Sequence, residues 1–137
     1  MGDIEASTRH SFSTRAIHAG QHPDPTTGAV VTPISLSTTF AQEGVGRHKG
    51  FEYSRSGNPT RSALEAQVAS LEEADHGLAF ASGLAAEDNI LRLLRPGQRT
   101  LLGNDAYGGT FRLIAKVWSP LGFPWSAVDL TDLDALR

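Results

Sequence analysis

Hydrophobic positions along the chain change character near Asn58. Before it, apolar residues stand singly or in short runs broken by proline and glycine, and no helical or alternating period persists. Ser13 to His18 predicts a short helix capped by Ser13 or Thr14 and stopped at Gly20, with Pro23 and Pro25 preventing its continuation. Asp24 to Gly28 predicts a turn, and 29–34 an extended piece that Pro33 bars from the middle of a sheet. Residues 35–40 are rich in hydroxyls, and Gly44, Gly46 and Gly50 punctuate a connector. So little of this stretch can bury itself that it reads as an arm, ordered by lying on another surface, most simply a second copy of the chain.

After Asn58 the periods are clear. Asn58 as cap and Pro59 at the first helical position open a helix that sets Ala63, Leu64, Val68, Leu71 and Ala74 on one face, closed at Gly77. Leu78 to Ala81 predicts a buried strand, and Gly83 to Leu94 a helix with Ala86, Ile90, Leu91 and Leu94 inward, ended by Pro96-Gly97. A strand from Arg99 to Leu102, a loop from Asn104 to Gly109, a helix from Thr110 to Trp118 and a strand within 123–130 follow. Strands alternating with helices predict an α/β fold with a mainly parallel sheet covered on both faces. Ligands of such sheets sit at the carboxyl ends of the strands, where the Ser82-Gly83 turn and the 105–110 loop emerge. Residues 131–137 read as a cap and the first turn and a half of a further helix, so the chain is expected to be the front part of something longer.

Composition narrows the classes. The 137 residues suffice for one modest domain, and 39% apolar content is lean but not that of a disordered chain. A formal charge of −3 without basic clusters argues against nucleic acid and anionic membrane as partners. Cysteine is absent, which excludes disulfides and thiolate chemistry, and no apolar run has the length of a membrane span. The acidic N-terminus lacks a hydrophobic signal core, so the expected compartment is the cytoplasm. The five histidines show no metal-ligand spacing, and no metal site is expected.

Three places carry candidate chemistry. A strand entering a helix through Ser82-Gly83 aims free N–H groups and the positive end of a helix dipole at one point, which suits a phosphate; an ordinary strand-to-helix turn is the alternative. Tyr53 and Arg55, two apart in a polar stretch expected to be extended, offer a phenol and a guanidinium fork to one partner, with a plain surface pair as the alternative. Tyr107, followed by Gly108 and Gly109, has room to stack on a flat ligand, against the alternative of a partly buried structural ring. Gly-x-Ser-x-Gly, Gly-x-Gly-x-x-Gly and phosphate-loop patterns are all missing, which disfavours a hydrolase or a nucleotide-binding domain.

Taken together, Thr14-Arg-Ala-Ile-His-Ala-Gly20, Tyr53-Ser-Arg-Ser-Gly-Asn-Pro-Thr60, Ala81-Ser-Gly-Leu-Ala-Ala86 and Asp105-Ala-Tyr-Gly-Gly-Thr-Phe-Arg112 resemble the cystathionine γ-synthase and γ-lyase family of pyridoxal-phosphate (PLP) enzymes. The resemblance runs from about Thr14 onward. It implies the aminotransferase-like (fold type I) α/β fold, with residues 1–58 as an intersubunit arm and 59–137 as the beginning of the PLP-binding large domain. It also implies a homotetramer built from tight dimers with shared sites. Gly83 and Leu84 would hold the cofactor phosphate through backbone N–H groups, and Leu84 in place of the family's usual Met leaves that contact intact. Tyr53 and Arg55 would reach the same phosphate in the neighbouring subunit, and Tyr107 would stack on the pyridine ring and assist proton movement as the catalytic candidate. Glu52 matches an acid that meets the substrate amino group in the cystathionine enzymes.

The family's Schiff-base lysine lies downstream, and neither Lys49 nor Lys116 has a matching context, so this span alone is expected to be inactive. The full-length protein is expected to eliminate or replace the γ-substituent of a sulfur amino acid or an activated homoserine, as a γ-synthase or γ-lyase. The sulfhydrylases and methionine γ-lyases are the alternatives, the latter disfavoured by Gly109 where they carry cysteine. A truncated copy that serves only as a binding partner is the alternative of another class.

Overall fold

A computed structural model describes residues 10–134 and 136. The chain forms two compact units, one ending at Ala79 and the other beginning at Phe80.

The first unit is built on two helices, α1 (Phe12–His18) and α2 (Pro59–Leu71). Ser11 caps α1, its hydroxyl accepting the Thr14 N–H at 3.3 Å, which corrects the expectation of a cap at Ser13 or Thr14 by one half-turn. Gly20 ends the approach to α2: its φ is +72°, and a Cβ there would sit 2.4 Å from the Ala63 carbonyl. Asn58 caps α2 as its sequence suggests, accepting from the N–H groups of Thr60 at 2.9 Å and Arg61 at 3.3 Å. The helix stops at Leu71 rather than at Gly77, because Glu73 turns the chain in the left-handed region at φ +55°. Arg15 secures that end: Nη1 donates to the Ser70 carbonyl and Nη2 to Glu73 Oε1 at 3.2 Å. A buried guanidinium at a helix C-terminus opposes the negative end of the dipole.

Between the two helices the chain is held by turns and side-chain anchors. Asp24 Oδ1 accepts from the N–H groups of Thr26 and Thr27, forming the expected 24–28 turn. Those bonds, the Thr27 backbone bond first, hold its carboxyl below the ordinary aspartate value. Residues 29–34 bend at Val30 and Val31 instead of running as one extended piece, and have no ladder partner among the described residues. Thr60 pins this strip to the start of α2, accepting the Ser35 N–H at 2.8 Å and donating to the Pro33 carbonyl at 2.8 Å. The face predicted for α2 is only partly covered, with Leu64 and Val68 about half exposed, and the buried residue of the helix is Ala69, which the prediction did not place on that face.

The second unit is a βαβ piece. Helix α3 (Gly83–Leu91) leads to strand β1 (Thr100–Gly103), then helix α4 (Gly108–Arg112), which continues as a π-turn over Leu113–Trp118 and a 3₁₀ turn over Ser119–Leu121 into strand β2 (Trp125–Val128). The two strands pair in parallel, Thr100 opposite Trp125 and Gly103 opposite Val128. The core is Leu91, Ile114 and Trp118, flanked by Leu94, Leu102, Leu113, Phe123 and Trp125. Trp118 meets Phe123 edge to face at 4.9 Å, and its indole N–H donates to Asp88 Oδ1 at 2.9 Å.

Four expectations are corrected here. Residues 78–81 form no strand among the described residues, and Leu78 and Phe80 are exposed where a buried strand was expected; an apolar run specifies a strand's interior, whereas pairing requires a distant partner. Helix α3 ends at Leu91, three residues early, where Arg92 folds back on Asp88. Ile90 is exposed, not inward, so Leu91 alone of that pair enters the core. No helix begins at Thr131, because Asp129 accepts both the N–H and the hydroxyl of Thr131 and organises a turn; Ala135 and Arg137 lie outside the described residues. No helix among the described residues is long and apolar enough to cross a membrane.

Candidate active site

The start of α3 has the features expected of an anion cradle. Ser82, extended at φ −158° and ψ 159°, caps the helix through a bond from the Ala85 N–H to its hydroxyl at 3.2 Å, and its carbonyl accepts the Ala86 N–H. The N–H groups of Gly83 and Leu84 have no partner among the described residues. Space above them is open: a Cβ on Gly83 would meet nothing within 4 Å. Two adjacent unpaired donors at the positive end of a nine-residue helix fit a phosphoryl group.

The 105–110 loop belongs to the same unit and leaves the carboxyl end of β1. Tyr107 occupies the cap position of α4 without a side-chain cap bond, and the residue is 72% exposed. The ring lies against Gly109, where a Cβ would come within 2.3 Å of a ring carbon. Glycine at 109 is therefore what permits this orientation. Thr110 ties the loop to α3, donating its hydroxyl to Glu87 Oε1 at 3.0 Å, while Glu87 Oε2 is buried without a partner among the described residues.

In the first unit, Tyr53 bridges Thr39 in antiparallel fashion, and Ser54 N–H donates to the Thr38 carbonyl at 2.9 Å. The chain then turns instead of staying extended as expected, with the N–H groups of Ser56 and Gly57 both donating to the Tyr53 carbonyl. The turn still brings Tyr53 and Arg55 together: the guanidinium carbon lies 5.0 Å from the ring centroid. Arg55 has no hydrogen bond or ion pair among the described residues, so its five donors are available. Glu52 is exposed and receives a long bond, 3.4 Å, from the Ser56 hydroxyl.

The sequence reading did not single out Arg61, which donates to the Ser54 and Ser56 carbonyls and flanks Glu65. Its only signal in sequence is an i,i+4 charge pair, indistinguishable from many surface pairs. No group of three or more metal-ligating side chains forms among the described residues.

Comparison with known proteins gives this geometry a context. The Cys/Met metabolism PLP-dependent enzyme family matches residues 13–137. The chain belongs to that family. It is 55% identical over 128 residues to a cystathionine γ-synthase of Mycobacterium leprae, covering 92% of the chain and 33% of that protein. Against a cystathionine β-lyase of Coxiella burnetii it is 54% identical over 127 residues, again 92% of the chain and 33% of the relative. Among solved structures, a cystathionine γ-lyase from Lactobacillus plantarum complexed with L-serine superposes with a TM-score of 0.85 at 47% identity, over 93% of the chain and 33% of the other. The fold is thus the α/β fold of these PLP enzymes, and the chain spans about a third of the relatives' length. The β-lyases were not among the activities suggested by the motifs.

Proposed function

We propose that the full-length protein containing this chain is a PLP-dependent enzyme of transsulfuration that replaces or eliminates the γ-substituent of its amino-acid substrate, as a cystathionine γ-synthase or γ-lyase. The observation that carries the proposal is the pair of unpartnered N–H groups of Gly83 and Leu84 under open space at the start of α3. In this reading they hold the cofactor phosphate, and residues 1–58 form an arm that brings Tyr53 and Arg55 to the same phosphate in a neighbouring subunit. Tyr107 covers the cofactor ring and moves a proton near it. Glu52 meets the substrate ammonium. The cofactor supplies an electron sink for charge developing on the substrate carbons. The assembly proposed is a homotetramer of tight dimers, and handling soluble amino acids suits the cytoplasm.

A second reading, β-lyase, is favoured by the 54% identity to the Coxiella protein. Both readings meet in one experiment. Full-length protein with PLP is offered cystathionine, O-succinylhomoserine with cysteine, or methionine, and the products are identified. Cystathionine formed from the second pair supports the synthase; cysteine and 2-oxobutyrate from cystathionine support the γ-lyase. Homocysteine and pyruvate from cystathionine would establish the β-lyase instead. Failure on all of them would end the proposal.

A further inference from the structure

The turn that carries Tyr53 and Arg55 depends on a residue outside it. From the first turn of α2, Arg61 Nη1 donates to the Ser54 carbonyl at 3.2 Å and Nη2 to the Ser56 carbonyl at 3.1 Å. One planar guanidinium thus spans the two carbonyls on either side of Arg55. Its remaining edge, Nε, lies 3.5 Å from Glu65 Oε1, one helical turn further on. The same carboxylate oxygen accepts the Ala79 N–H at 3.0 Å. Both side chains are partly shielded, Arg61 at 33% and Glu65 at 21% exposure. An ordinary i,i+4 pair on a solvated helix face joins only its two members and contributes little. This pair instead joins the 54–56 turn, the start of α2 and the backbone at Ala79, which precedes Ser82 by three residues in the chain.

We infer that Arg61, held by Glu65, is a positioning residue that sets the 54–56 turn so that Tyr53 and Arg55 face a phosphate, without touching the phosphate itself. The inference rests on the phosphate reading of Tyr53 and Arg55. Arg55 is exposed and, among the described residues, held only by its ring contact, so the direction of its fork is set by the backbone beneath it. Lysine at 61 keeps a charge beside Glu65 but cannot present two parallel N–H groups to the two carbonyls.

The test separates the phosphate's share of cofactor affinity from everything else. Apo full-length protein is titrated with pyridoxal phosphate and with pyridoxal, and the dissociation constant for pyridoxal divided by that for pyridoxal phosphate is compared among variants. Arg61→Ala is expected to lower that ratio about tenfold, the scale of coupling between residues in contact. Arg61→Lys is expected to show a similar loss while the apo protein melts as the parent does, which excludes a general folding defect. In a background carrying both Tyr53→Phe and Arg55→Ala, Arg61→Ala is expected to add nothing. The inference is overturned if the two losses multiply, if pyridoxal binding falls equally, or if Arg61→Lys keeps the full ratio. Should Arg55→Ala alone leave the ratio unchanged, the phosphate reading itself fails. A loss with Arg55→Ala and none with Arg61→Ala removes the positioning role alone.

Discussion

Arg55 lies over the ring of Tyr53, with 5.0 Å between the guanidinium carbon and the ring centroid. The ring's negative face holds the cation in place while leaving its N–H groups outward, at a stabilisation of about 0.5–1 kcal/mol for an exposed pair. Tyr53→Leu is expected to weaken phosphate-dependent cofactor binding even though Arg55 remains, and more than Tyr53→Phe, which keeps the ring. Comparing pyridoxal phosphate with pyridoxal in each variant checks the order.

Gly83→Pro removes one of the two free donors without disturbing the helix. Proline is tolerated at the first helical position, Ser82 already has the extended backbone that precedes proline, and added atoms at the Cβ position meet open space. The variant is expected to melt within a few degrees of the parent and to bind pyridoxal phosphate roughly tenfold less tightly, the loss of one hydrogen bond to a charged group. Differential scanning calorimetry and an equilibrium titration measure the two effects.

Gly109→Ala places a methyl where the Tyr107 ring now lies. The ring must swing away, so a lower turnover number is expected with little change in melting temperature. Steady-state kinetics of the full-length enzyme, set beside a crystal structure of the variant, would show whether the ring has moved.

Arg15 joins α1 to the C-terminal end of α2 through the Ser70 carbonyl and Glu73. Arg15→Met is expected to destabilise by about 2–3 kcal/mol, because the lost bonds are charge-assisted and partly buried. Denaturant unfolding gives the value, and a change below half a kcal/mol would show that the clamp is unimportant.

Asp88 receives bonds first from Arg92 and then from the Trp118 indole, which hold its carboxyl below the ordinary aspartate value. The unfolded chain therefore takes up a proton more readily than the folded one. The resulting stability is present above the unfolded value near 4 and is lost as pH falls through the folded value. Asp88→Asn is expected to flatten this acid limb of the stability curve, measured by urea unfolding between pH 2 and pH 6.

What could be read from the residues was mostly local. Asn58-Pro59 and Ser82 announce their helices because a cap and its helix lie within four residues. The strand expected at 78–81 could not be judged the same way, since its interior is local and its ladder partner is not. The π-turn at Leu113–Trp118 leaves no sequence pattern apart from that of an α-helix, and it stands where Ile114 and Trp118 enter the core. The family was legible because four separated motifs agree. Arg61 stayed hidden because its partners are backbone carbonyls, which every residue offers.

A mixed-subunit experiment tests the shared phosphate site most directly. Full-length protein carrying Tyr53→Phe with Arg55→Ala is co-assembled with full-length protein carrying Gly83→Pro, and phosphate-dependent cofactor affinity is measured on the mixture and on each parent variant. A site shared between subunits predicts weak binding in both parents and a class of sites with restored tight binding in the mixture, because one of the two sites then receives an intact cradle and an intact arm. A mixture that binds no better than its parents would contradict the account.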